Sequence, residues 1–314
     1  MNSILLVKSG GSAALDEWQT EFAAVAPALT VRDWYDPSVD PRQVHYALVY
    51  QPEPGRLATF TNLRLILSAS AGVDHLLVDP DLPSALPIVR MMTDETGQRI
   101  ADFTAFAALA VIRDLPAIVH AQQQKRWEPK LIGRLASETR VGIMGIGELG
   151  RVAALRLTAI GFQVSGWART PKSIEGVDTY AGPERLRDFL APLDVLVNLL
   201  PQTDDTRAII GRDLLFGLKR GVSLINIGRG SHLDNAALLA ALDDGHVRSA
   251  VLDVFDVEPI EQDDPLWTHP KVLVTPHIAS HVSRRARAVQ AARVIDAERN
   301  GAPLPFLYDR ARGY

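Results

Sequence analysis

The stretch RVGIMGIGELG, residues 140–150, decides the fold. Its opening residues, Val141–Met144, read as a buried strand. Gly145-Ile-Gly147-Glu148-Leu149-Gly150 then spells G-x-G-x-x-G, and a helical pattern over Glu148–Ile160 follows at once. A strand that turns on glycines directly into a helix is the arrangement that binds a dinucleotide. Gly145 permits the tight turn, Gly147 lets a pyrophosphate approach the backbone, and Gly150 lets helix and strand pack closely. Glu148 and Leu149 lie in the first helical turn, where N–H groups without intrahelical acceptors face the phosphates with the positive end of the dipole. The motif alone carries little weight; its place between strand and helix carries more.

Outward from this loop, strands and helices alternate as in a parallel α/β sheet. Strand Gln163–Trp167, helix Pro183–Leu190, strand Val195–Leu199 and helix Arg212–Leu218 follow. Strand Val222–Ile227, helix Asn235–Asp243 and strands Ser249–Val254 and Val272–Thr275 complete the series. The last helix spans Ser283–Arg299, with Ser283 as N-cap and Gly301 as stop signal. On the N-terminal side the apolar runs predict strands Ile4–Val7, Leu29–Arg32, Ala47–Tyr50, Leu65–Ala69 and Ile88–Met91, and a helix over Leu15–Val25. A long helix begins near Gln98 and stops near Arg113; Asp114 then reads as the N-cap of the next one, with Pro116 in its first turn. Two α/β domains are expected, the second doubly wound.

Composition narrows the function. Of 314 residues, 47% are hydrophobic and 22% charged, and 33 Lys+Arg against 37 Asp+Glu leave a net charge of −4. That balance argues against a general nucleic-acid binder. The chain has no cysteine, which excludes disulfides, Cys-ligated zinc and thiol catalysis. No apolar run reaches the ~18 residues of a membrane span, and a cytoplasmic location is expected. His277 and His281 have a metal-ligand spacing but no completing ligand nearby, so no metal is expected. The other histidines, His232 among them, read as surface or structural, and Arg284, Arg285, Arg287 and Arg293 as a solvated helix face.

The loop after the second strand of the dinucleotide fold points to one cofactor. An acidic residue normally stands there, about 20 residues beyond the glycines, to hold the ribose hydroxyls of NAD. Ala168 takes its place, followed by Arg169, Thr170 and Lys172. A small neutral residue, two cations and a hydroxyl suit a 2′-phosphate, so NADPH is expected over NADH. Three later segments present a polar residue at or beyond a strand end: Arg229 in Asn226-Ile227-Gly-Arg229, Glu258 after Leu252-Asp253, and His277 in Thr275-Pro-His277. Ligands of open α/β sheets bind outside the carboxyl ends of the strands. These three can therefore converge beside the dinucleotide.

Together with Ala71-Gly72-Val73-Asp74, Leu199-Leu-Pro201-Gln-Thr203, Glu258-Pro259, Pro265-Leu-Trp267 and the terminal Arg310-Ala-Arg-Gly-Tyr314, these segments resemble the D-isomer-specific 2-hydroxyacid dehydrogenases over nearly the full length. Within that family the likeness is to the short bacterial glyoxylate/hydroxypyruvate reductases. The resemblance implies a dinucleotide-binding domain, residues 98–283, inserted into a flavodoxin-like substrate domain, residues 1–97 with 284–314, and a substrate cleft that closes between them. It implies His277 as proton donor to the keto oxygen, Glu258 as its partner, and Arg229 as the group that grips the substrate carboxylate. Backbone N–H groups at Gly72 and Val73 would grip the same carboxylate, and Tyr50 would touch the substrate side chain. Pro201, Thr206 and Ile227 would line the cofactor groove, with Asp253 at the nicotinamide end. The helix near Gln98 and the arm around Gln122–Trp127 would form a homodimer contact. Reduction of bulkier 2-ketoacids, or a nucleotide-sensing scaffold of the corepressor type, are the competing functions.

Overall fold

A computed structural model describes residues 3–129 and 133–314. The chain forms two compact units, Met1–Thr96 with Val282–Tyr314, and Gly97–His281.

The first unit is built on β1 (Ser3–Lys8), β2 (Leu29–Asp33), β3 (Val44–Val49), β4 (Leu65–Ser68) and β5 (Ile88–Arg90), in the spatial order β2-β1-β3-β4-β5. All neighbours are parallel, with Leu5 level with Val31 on one side and Tyr46 on the other. This is the flavodoxin-like doubly wound order. Such a sheet is buried on both faces, so its strands are near-continuous apolar runs. One face packs on helices Leu15–Val25 and Arg284–Arg299 through Trp18, Phe22, Ala288, Ala291 and Ile295. The other packs on Trp34, Leu57, Phe60, Leu76 and Tyr308.

The second unit carries β6 (Arg140–Met144), β7 (Gln163–Ala168), β8 (Asp178–Ala181), β9 (Val195–Asn198), β10 (Val222–Asn226), β11 (Val247–Leu252) and β12 (Val272–Val274). The order β12-β11-β10-β9-β6-β7-β8 reverses between β6 and β9, the topological switch point of a dinucleotide fold. Phe189, Leu196, Leu215, Leu224 and Leu238 fill one face of this sheet. Val111, Ile143, Ala153, Leu157 and Val197 fill the other.

Several expectations need correction. β3 spans Val44–Val49 rather than 47–50, because as an inner strand it pairs along its length with both β1 and β4. Tyr50 therefore lies beyond the strand. The strand β8 goes unpredicted: its DTYA sequence has no apolar run, and as an edge strand it is half-exposed. The long helix starts at Asp94, earlier than Gln98, because Thr93 and Thr96 exchange side-chain and backbone hydrogen bonds of 3.0–3.1 Å and close its first turn. Asp114 occupies the N-cap position, but with left-handed backbone (φ 56°) and no side-chain cap bond. Its carboxylate instead takes the Arg248 guanidinium, with Nε at 2.7 Å. Arg287 is not solvated either. It lies half-buried, its Nη1 3.5 Å from Ser9 Oγ, and burial beside Arg284 lowers its pKa. Ser283 caps its helix as expected, accepting the N–H of Ala286 at 3.2 Å.

Candidate active site

The glycine loop has the geometry its sequence requires. Gly145 has φ 100°, and a Cβ on Gly150 would stand 2.0 Å from the Gly145 carbonyl oxygen, so only glycine permits the contact of helix with loop. Gly147 differs: a Cβ there would meet nothing within 4 Å. The protein's own packing does not demand glycine at 147, whereas a closely approaching pyrophosphate would. Gly147 is also the N-cap of helix Glu148–Ile160 and supplies no side-chain cap, which leaves the first-turn N–H groups to a ligand. These residues fit a dinucleotide. Arg169, Thr170 and Lys172 follow β7 directly and are exposed. Thr206 donates its hydroxyl to the Pro201 carbonyl at 2.9 Å and closes a capping box with Thr203, which fixes the loop after β9. Ile227 is buried in the core at the end of β10.

Arg229 and Glu258 are brought together with His277. His277 Nδ1 lies 2.7 Å from Glu258 Oε2, and Glu258 Oε1 accepts the N–H of Phe255 at 2.9 Å. The hydrogen bond to Glu258 raises the His277 pKa, against burial and the nearby Arg229 charge, which lower it. Burial pushes the Glu258 carboxyl up, but His277, the Phe255 N–H and Arg229 together leave it below its ordinary value. Arg229 thus acts on both members of the pair. It sits on a loop packed tightly enough that a Cβ on Gly230 would fall 1.8 Å from the Phe255 carbonyl carbon. That close approach joins the end of β10 to the Phe255–Glu258 loop.

Side chains that motif spacing does not single out position these groups. Asn198 Nδ2 donates to Asn226 Oδ1 at 2.9 Å and sits 2.9 Å from His232 Nδ1; all three residues are fully buried. Asn226 in turn donates to the Arg229 carbonyl at 3.0 Å. His232 is therefore structural, as expected. His277 has φ 52°, a left-handed conformation that a side-chain-bearing residue adopts only when its surroundings hold it. Asp253 does the holding. Its carbonyl accepts from His277 N at 2.8 Å, and its carboxylate accepts from Ile278 N at 3.0 Å, Ala279 N at 2.9 Å and Thr275 Oγ1 at 2.5 Å. With 1% exposure, Asp253 organises the His277 turn through these contacts.

In the first unit, Gly72 and Val73 follow β4. The Gly72 carbonyl accepts the hydroxyls of Ser68 at 2.6 Å and Ser70 at 2.9 Å. A trans peptide points its N–H opposite to its C=O, so these serines fix the direction of the Val73 N–H. Tyr50 is 39% exposed and packs its ring 4.7 Å from that of His75.

Residues 105–279 match the model of the D-isomer specific 2-hydroxyacid dehydrogenase NAD binding domain. The chain is 38% identical over 303 residues to glyoxylate/hydroxypyruvate reductase A of Salmonella heidelberg, covering 95% of this chain and 96% of that one. A D-isomer specific 2-hydroxyacid dehydrogenase from Xanthobacter autotrophicus, solved with NADPH and MES, superposes with a TM-score of 0.93 at 40% identity over 100% of both chains. An NADPH-dependent glyoxylate/hydroxypyruvate reductase from Sinorhizobium meliloti, solved with NADP and sulfate, gives 0.91 at 35% identity, covering 99% of this chain and 100% of that one. The chain belongs to the D-isomer specific 2-hydroxyacid dehydrogenase family.

Proposed function

We propose that this protein is an NADPH-preferring reductase of small 2-ketoacids, glyoxylate and hydroxypyruvate, giving D-2-hydroxyacids. The observation that carries the reading is the 2.7 Å contact of His277 with Glu258 beside the Arg229 charge. NADPH, when bound at the glycine loop, supplies the hydride. His277, charged through its contact with Glu258, donates the proton to the keto oxygen from Nε2, since Nδ1 is engaged. Arg229 is the carboxylate ligand and polarises the carbonyl; its planar fork does both where an ammonium would not. Alkoxide charge then develops beside donors already in place, where electrostatic stabilisation is largest. Gly72 and Val73 N–H groups are the second carboxylate grip, and Tyr50 borders the substrate side chain. Arg169, Thr170 and Lys172 hold the 2′-phosphate.

The partner in this reading is a second copy of the chain. Phe106 and Leu109 on the long helix, Ile118 on the helix Leu115–Gln123 that follows it, and Trp127 beyond that are exposed, Trp127 by 93%. Monomer mass in light scattering at micromolar concentration would overturn the dimer. Among the described residues no single helix is long and apolar enough to cross a membrane. The activity is tested by steady-state reduction of glyoxylate, hydroxypyruvate and a bulkier 2-ketoacid with both cofactors. Loss of turnover in His277→Ala with NADPH binding retained is the expected result. Wild-type turnover in that variant would remove the proton donor.

A further inference from the structure

Tyr50 stands where the first unit gathers its loops. The order β2-β1-β3-β4-β5 reverses between β1 and β3, and open parallel sheets take ligands outside the carboxyl ends of the strands at such a point. Tyr50 follows β3 there, its N–H donating to the Lys8 carbonyl at the end of β1 at 2.8 Å. The next residue, Gln51, has a left-handed backbone with φ 48°. A residue with a side chain keeps that conformation only where its neighbours hold it.

Glu53 supplies much of the hold. Its Oε1 accepts Lys8 Nζ at 3.1 Å and the Tyr35 hydroxyl at 2.5 Å, and its Oε2 accepts Trp34 Nε1 at 2.7 Å. Lys8 Nζ also donates to the Gln51 carbonyl at 2.5 Å. One carboxylate thus ties the ends of β1, β2 and β3 together. Trp34 is 1% exposed, so its indole N–H depends on a protein acceptor. Further along, both Asp79 oxygens accept the Gly55 N–H at 3.0 Å, and Asp79 is itself buried. Asp79 lies just beyond the short helix Asp74–Leu77, which carries His75, the ring packed on Tyr50. The loop Tyr50–Gly55 is fixed at both ends, and its first side chain is backed by His75. Burial pushes the Glu53 carboxyl up, but the donors Tyr35, Trp34 and Lys8 outweigh it and bring the pKa down to about 2. The clamp therefore stays ionised throughout the neutral range and adds no titration of its own.

We propose that Glu53 is a positioning residue for the ketoacid: by holding the loop Tyr50–Gly55 it makes Tyr50 a fixed wall that admits a small substituent on the keto carbon and excludes a bulky one. This rests on the reading of Tyr50 as the border of the substrate side chain. A wall anchored through Lys8, Glu53 and Asp79 and backed by a second ring cannot withdraw to make room. Loosening the anchor lets it do so.

The test compares kcat/KM for glyoxylate, hydroxypyruvate and phenylpyruvate, with NADPH, in the wild type, Glu53→Gln, Tyr50→Ala and the double variant. Gln keeps the size but offers one acceptor oxygen where the carboxylate offers two, so either Trp34 or the Tyr35–Lys8 side loses its acceptor. The wild type should favour the two small ketoacids. Glu53→Gln should narrow that preference about tenfold, mostly through KM for the ketoacid. Tyr50→Ala should narrow it as well, and adding Glu53→Gln should then change it little, because one residue acts through the other. Lys8→Met leaves Trp34 and Tyr35 their acceptor and should narrow the preference by a smaller factor. KM for NADPH and the alkaline limb of the pH profile should stay in place in Glu53→Gln. An unchanged preference in Glu53→Gln, or the same change with and without Tyr50, would overturn the proposal. So would a wild type that reduces phenylpyruvate as well as glyoxylate. No turnover of any ketoacid by the wild type is a different result: it would remove the reading beneath the proposal, and the proposal with it.

Discussion

His277 Nδ1 and Glu258 Oε2 are 2.7 Å apart, and the other Glu258 oxygen is tied to the Phe255 N–H, so the carboxylate cannot turn away from the imidazole. The pair raises the pKa of His277 above its ordinary value. In the proposed mechanism reduction draws its proton from the charged imidazole, so activity should fall as pH rises through that raised value. Glu258→Gln removes the charge that favours the proton, and the alkaline limb of the pH profile should move toward acid. An alkaline limb at the same pH in both proteins would break the link between Glu258 and the proton donor.

Asp253 should act on the same limb from further back. Its buried carboxylate accepts three donors around the His277 turn, and its charge helps to raise the His277 pKa. Asp253→Asn keeps an acceptor but loses the charge; kcat should drop and the alkaline limb should shift acid by less than in Glu258→Gln. Asp253→Ala leaves the N–H groups of Ile278 and Ala279 without their acceptors, at about 1–3 kcal/mol each, which urea unfolding would read. NADPH affinity separates two roles. If Asp253 faced the nicotinamide, the Asn variant would bind NADPH more weakly; if it positions His277, binding stays near wild type.

Ser68→Ala should raise KM for the ketoacid several-fold while leaving KM for NADPH unchanged. Ser68 Oγ is 2.6 Å from the Gly72 carbonyl and helps set the direction of the Val73 N–H. Ser70, at 2.9 Å from the same carbonyl, should buffer the loss, so the double variant should be worse than either single one. Parallel rises in both KM values would point to a general disturbance of the unit instead.

The division of labour between these residues explains what was legible in sequence. The glycine loop declares itself because three glycines at fixed spacing between a strand and a helix answer one steric problem, and the Gly145–Gly150 contact shows that problem directly. Arg229, Glu258 and His277 stand at or beyond strand ends, where a parallel sheet collects its ligands. Asn198, Ser68 and the turn-building role of Asp253 leave no such trace. Each is one polar residue in or beside an apolar run; the partners of Asn198 and Asp253 are distant in sequence, and the Ser68 bond to the Gly72 carbonyl, though local, follows no motif spacing. The strand β8 was hidden for a related reason: an edge strand needs no apolar alternation to pair. Asp114 misled because N-cap chemistry and a buried ion pair ask for the same side chain, and only the position of Arg248 decides between them.

The exposed loop after β7 should set cofactor preference. In an NAD-specific site a carboxylate here accepts from the ribose hydroxyls and repels a 2′-phosphate. Ala168 removes the repulsion, and Arg169, Thr170 and Lys172 offer donors immediately after the strand. A hydrogen bond to a charged group contributes about 1.5–3 kcal/mol, but all three side chains are exposed and salt weakens such contacts. One or two of them give a preference on the order of 10–100-fold, at about 1.4 kcal/mol per factor of ten. Arg169 should contribute more than Lys172, because a guanidinium can stack on the adenine as well as bind phosphate. The measurement is kcat/KM with NADPH and NADH for wild type and Arg169→Ala at two salt concentrations. The wild type should favour NADPH, Arg169→Ala should lose most of that preference by a rise in KM for NADPH alone, and high salt should narrow the gap in the wild type more than in the variant. Equal efficiency with both cofactors in the wild type, or an undiminished preference in Arg169→Ala, would mean that the basic loop is solvated surface and that selectivity arises elsewhere in the groove.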